Sequence, residues 1–125
     1  MAARRPVPEA EGRAALADVR AAGPGGAADR ATMRVAVRWM LEELARRAPG
    51  SSVEIRVPPF AAVQAVAGPA HRRGTPSAVI EMDAGTWLAL ATGDVTWEQA
   101  RAAGRVTASG TRADLAPWLP LVVVE

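Results

Sequence analysis

The chain has a single histidine, His71, and it sits beside two arginines in "AHRRG". A metal centre or a general-base site needs several convergent donors, and one imidazole in a chain without cysteine cannot assemble a His/Cys ligand set. A solvated loop histidine is the simpler reading. His71, Arg72 and Arg73 together are candidates for contact with an anionic head group, set against the ordinary reading of a solvated charge cluster. Glu81 and Asp83 lie two apart on an alternating segment, which points both to one side. They could share a proton, but Asp83 suits the cap of a following helix and Glu81 a surface position. Glu42 and Glu43 are adjacent on a helix and do not face one another. Thr107 and Ser109 share a strand face without a base or oxyanion motif beside them. G-x-S-x-G, P-loop and Rossmann fingerprints do not occur. The expectation is therefore a non-enzyme with no catalytic residue, no metal and no cofactor.

Composition supports a modest single core. The chain has 125 residues, half of them apolar and 22% charged, with a formal net charge of only +2. All 15 basic residues are arginine, and Asn, Tyr and Cys are missing, a bias that a GC-rich genome imposes. The arginines are scattered among Glu and Asp, which reads as solvated surface and not as a nucleic-acid footprint. The N-terminal "MAARRPVPEAEGR" has no apolar segment behind its arginines, so it does not read as a secretory signal. The longest uncharged run, residues 57–70, is shorter than the ~20 residues of a spanning helix and interrupted by proline. These features predict a cytoplasmic protein without stable membrane insertion.

The elements that must position these residues follow from periodicity. Residues 1–28 read as a flexible N-terminal segment with room for a short amphipathic helix through Leu16 and Val19, weakened by Gly12, and then a Gly/Pro linker. Asp29 is a plausible N-cap. From there Met33, Val37, Met40, Leu41 and Leu44 recur at helical spacing until "PG" at Pro49–Gly50 stops them. "SVEIRV" alternates with Val53, Ile55 and Val57 on one face. Pro58–Pro59 turns the chain, and "FAAVQAVAG" offers an antiparallel neighbour with Val63, Ala65 and Ala67 inward. "AVIEMD" is a third strand. "AGTWLALAT" is a helix stopped by Gly93, Thr96 and Gln99 box the start of "WEQARAA", and Gly104 ends it. "RVTAS" is a further strand, closed by Gly110. "TRADLAPWLPLVVVE" begins as a helical turn, and Pro117 lies too deep for an undisturbed helix. The "LVVV" end could extend or pair, even across a dimer edge.

Residues Leu90 to Leu121, "LATGDVTWEQARAAGRVTASGTRADLAPWLPL", resemble the C-terminal half of sterol carrier protein type 2 domains. The shared features are the Gly93 turn, a short helix with an inward Ala100, Gly104-Arg105-Val106 opening a strand, Ala108, and Gly110 before a final helix. The stretch from Thr32 to Gly93 resembles the small bacterial relatives of that family, so the likeness covers a domain at 29–125. It implies an α+β fold with a mixed, largely antiparallel sheet of about five strands and helices over one face. It also implies an apolar cavity between sheet and helices for a fatty-acyl or sterol-like lipid. Pro117 and Pro120 interrupt the segment where the family places its closing helix.

On that resemblance the expected role is non-catalytic binding or carrying of an apolar ligand. The candidate wall is Phe60, Val63, Trp87, Leu88, Leu90, Leu115, Trp118 and Leu119, with His71, Arg72 and Arg73 at the head group. Of the four tryptophans, Trp87 and Trp118 fall where the family has its cavity, while core packing is the ordinary reading of each. The alternative is an accessory or interaction domain working with a separate partner enzyme. Similar domains are appended to a metal-binding helical domain in mycothiol-dependent isomerases, whose histidines this chain lacks. A scaffold with its cavity collapsed onto Trp118 is the third reading.

Overall fold

Asp29 does what its position predicts: its carboxylate accepts a hydrogen bond from the Thr32 backbone N–H at 2.7 Å, which holds its pKa below the ordinary aspartate value. It starts the longest of the described helices. A computed structural model describes residues 5–23, 28–68, 78–110 and 112–122. They form helices α1 (Glu9–Ala22) and α2 (Arg30–Arg47), strands β1 (Val53–Val57), β2 (Ala61–Ala65) and β3 (Ala78–Met82), helices α3 (Ala84–Thr92) and α4 (Trp97–Ala102), strand β4 (Val106–Ser109) and a 3-10 turn at Ala116–Trp118.

The sheet order is β2-β1-β3-β4. The β1–β2 and β3–β4 pairs are antiparallel and β1–β3 is parallel. The described residues thus hold four strands where the resemblance implied about five. The Pro-bearing segment 116–122 forms the 3-10 turn and then docks on α3, with the Leu121 and Val122 N–H groups donating to the Ala91 carbonyl at 2.8 and 3.1 Å. Pro117 stands inside the 3-10 turn, and the described residues 112–122 form no α-helix where the resemblance implied a closing one.

Register places the alternating residues as the period-2 pattern requires. Val53, Ile55 and Val57 pair with Ala65, Val63 and Ala61, and Ile55 faces Ile80. These inner positions join α2 and α3 in one core cluster. The outer face carries Glu54, Arg56, Gln64, Glu81, Thr107 and Ser109. Ala67, expected inward on β2, is exposed. Val66 adopts φ 71° instead, and it is Val66 that is buried. The kink serves the α2–β1 connection. The Val66 carbonyl accepts from both the Ser52 N–H (3.1 Å) and Oγ (2.7 Å), while the Val66 N–H donates to Ala48. Gly50 is needed beside it, since a Cβ there would lie 2.3 Å from the Val66 oxygen.

The helix anticipated around Leu16 and Val19 forms over 14 residues, and Ala15 and Leu16 are buried in the core cluster. Gly12 weakens a helix by propensity, yet here it is the contact point. A Cβ at Gly12 would stand 2.2 Å from Cδ2 of Trp39, and the Arg13 guanidinium covers the same ring at 5.7 Å. Val7 N–H donates to Glu42 Oε1 at 2.8 Å, which ties the start of α1 to α2.

Replacing Gly12 by Ala raises intrinsic helix propensity by about 1 kcal/mol, but the overpacking against Trp39 costs about 1–3 kcal/mol and decides the sign. Gly12→Ala should lower the thermal midpoint, and adding Trp39→Leu should restore part of the loss; a Gly12→Ala protein that melts higher would refute the contact. At the end of α2, Glu43 hydrogen-bonds Arg46 and, at 2.6 Å, Arg47. The Arg46 bond, set against partial burial and helped by Arg47, holds the carboxyl below the ordinary glutamate value. Its contribution is therefore present above the unfolded-state pKa and lost as pH falls through the lower folded-state value. Denaturant melts should show Glu43→Gln less stable than the parent at pH 7, with the gap closing in acid below pH of about 4.

Candidate functional site

Helix α3, "AGTWLALAT", has no charged residue, so it needs cover on both sides. Asp83 starts it by accepting from the Thr86 N–H at 2.7 Å, and Gly93 stops it in the left-handed region at φ 83°. One side carries Trp87, Leu90 and Ala91 at i, i+3 and i+4, all with 0% exposure. Trp87 locks α3 to α2 through a hydrogen bond from Nε1 to the Val37 carbonyl at 3.3 Å.

The other side of α3 meets open space. Gly85, Leu88, Ala89 and Thr92 line a cavity of about 500 Å³, and Leu16, Val19 and Ala22 of α1 form the facing wall. Met33 of α2 and Val95 of the α3–α4 turn contribute further apolar surface. None of the lining residues lies on a strand. The Thr92 hydroxyl is turned to its own helix, donating to the Leu88 carbonyl at 2.8 Å. Among the described lining residues, charge stands at Arg20, Asp94 and Arg105. Arg20 grips Asp94 with both terminal nitrogens, at 2.8 and 3.5 Å, and so ties the end of α1 to the turn after α3. Arg105 has no ion-pair partner among the described residues.

A second cleft of about 390 Å³ lies between α2 and the β1–β2 hairpin. Phe60, Ala61 and Val63 form its apolar side, and Arg38 and Glu42 stand opposite, paired to each other at 3.2 Å. The Arg30 guanidinium lies 5.9 Å from the Phe60 ring centre.

The residues expected to wall one cavity are divided among four places. Leu88 lines the α1–α3 cavity, and Phe60 and Val63 line the second cleft. Trp87, Leu90 and Leu115 are fully buried core. Trp118 and Leu119 are half-buried in and after the 3-10 turn. His71, Arg72 and Arg73 fall outside the described residues. Leu16, Val19, Ala89 and Arg105 line the cavity but do not figure among the candidate wall residues read from the sequence. The available signal was the absence of charge all round α3, which requires a second covering element.

Residues 29–121 match the protein family described as Bacterial SCP ortholog, where SCP stands for sterol carrier protein. The chain belongs to that family. No curated protein matches it. The SCP match begins at the N-cap of α2, so every strand and α2 to α4 lie inside it and α1 lies before it. One wall of the α1–α3 cavity is thus SCP domain, and the other is supplied by the preceding helix. No described helix is long and apolar enough to cross a membrane.

If the α1–α3 cavity is where an apolar molecule sits, Ala89→Phe should fill it without disturbing the buried side of α3. Far-ultraviolet circular dichroism should be unchanged, and the affinity for an environment-sensitive apolar dye should fall about tenfold or more. Val63→Ala, in the other cleft, should leave dye binding as it was; loss there and retention in Ala89→Phe would move the site to the hairpin.

Proposed function

We propose that this SCP-family protein holds a lipid-like apolar ligand, fatty-acyl or sterol-like, and carries it without chemical change in the cytoplasm. The observation that supports this reading is the apolar cavity between α1 and α3 in a chain of this family. Burial drives the uptake at about 25 cal/mol per Å² of apolar surface removed from water. Among the described residues the cavity wall offers no histidine, cysteine or lysine, and its one carboxylate, Asp94, is engaged by Arg20. A carrier role needs no more than that.

The α1 wall also provides a route of entry. The first half of α1 is fixed on α2 by the Gly12–Trp39 contact and the Val7–Glu42 hydrogen bond. Its last turn spans the cavity and is held at Arg20 by an ion pair whose side chains are 32% and 53% exposed. Pairs so exposed contribute at most about 1 kcal/mol.

Native mass spectrometry of the purified protein, followed by organic extraction, tests the proposal. A discrete bound mass of lipid size is expected, and deletion of residues 1–23 should lower its occupancy by removing one wall. An empty protein that also ignores added fatty acids and sterols would overturn it.

A further inference from the structure

The rim of the α1–α3 cavity carries two arginines and one aspartate, and they are not equivalent. Arg20 and Asp94 neutralise one another in a two-pronged pair. Arg105 is exposed, lines the same cavity, and makes neither an ion pair nor a side-chain hydrogen bond with another described residue. Its position is set by backbone and not by its side chain. Gly104 takes φ 72°, and the Arg105 N–H donates to the Ala100 carbonyl at 3.0 Å. Arg105 therefore lines an apolar space with its guanidinium donors free of any partner among the described residues.

We propose that Arg105 anchors the head group of the cavity's ligand, and that this ligand is an anionic amphiphile. This rests on the reading of the α1–α3 cavity as the ligand site. The apolar body lies between Leu16 and Val19 on one side and Leu88 and Ala89 on the other. A carboxylate or phosphate monoester at its end pairs with Arg105, whose planar fork matches either anion in two-pronged fashion. The Arg20–Asp94 pair contributes no net charge beside it, so the anion meets no net repulsion at the rim. A neutral sterol leaves Arg105 as it is without ligand, and an alkyl ammonium would face an uncompensated like charge.

The test compares four probes of equal chain length on the full chain: a fatty acid, an alkyl phosphate, the fatty alcohol and the alkyl amine. Calorimetry at low salt should show at least one anion binding about tenfold more tightly than the alcohol, with the amine weakest and the gap shrinking as salt rises. Which anion leads decides between carboxylate and phosphate. Arg105→Gln should remove the preference while leaving alcohol affinity unchanged, and Arg101→Gln, whose guanidinium stacks on Trp97 at 5.8 Å, should retain it. Equal binding of anion and alcohol by the parent, or a preference that survives Arg105→Gln, would overturn the head-group assignment alone. Binding of none of the four would overturn the cavity reading on which it rests.

Discussion

A nine-residue helix without a single charge is the constraint from which the arrangement follows. α3 cannot leave either side in water without losing the burial energy of its large apolar residues. Trp87 fixes which side goes inward. Its ring is fully buried, and its indole nitrogen finds the Val37 carbonyl, so the rotation of α3 about its axis is set by one packed side chain and one hydrogen bond. With Trp87, Leu90 and Ala91 turned into the core, helical geometry leaves Leu88, Ala89 and Thr92 on the opposite side. The second cover is then a necessity, and α1 supplies it.

α1 supplies that cover incompletely, and the reason lies in its contacts. At Gly12 the missing side chain lets α1 approach the Trp39 ring, and Ala15 and Leu16 continue the close packing. Beyond them the chain offers Val19 and Ala22, too small to fill the distance to α3, and the last turn is joined to the far side only through Arg20 and Asp94. The helix is thus packed at one end and propped at the other. The space of about 500 Å³ between α3 and the last turns of α1 is what this uneven contact leaves open.

Much of the fold was legible in local pattern. Asp29, Asp83 and the Thr96–Gln99 box cap the helices they were read to cap, and Val53, Ile55 and Val57 face inward as alternation requires. These features depend on neighbours within a few residues. The cavity depends on two segments some seventy residues apart, and nothing in either one shows that the other lies across from it. Helical spacing could say that Trp87 and Leu88 point to different sides, but not which side meets an incomplete neighbour. The resemblance points to Trp87, Leu90 and Leu115 as wall, and the apolar bulk that suits a lipid wall equally makes a residue good core. Val66 was missed for a different reason: a β-branched residue at positive φ runs against local preference, and only the distant Ser52 and Ala48 hydrogen bonds make up for it.

The division between α1 and the SCP domain has a physical consequence. The inner face of the sheet and the Trp87 side of α3 lie in the buried core and do not line the cavity. Val19 and Ala22, on the last turns of α1, line that space and are not fully buried, so their size can vary at less cost to folding than that of a core residue. The same holds for Arg105, which is held in place by a backbone bond and an exposed glycine turn. The groups that would choose a ligand are therefore largely separate from the groups that fix the fold, except at Leu16 of α1 and, on α3, at Leu88 and Thr92. On α3 a single helix turn is shared, and a substitution must satisfy the cavity on one side while the Trp87 side of the same helix stays packed.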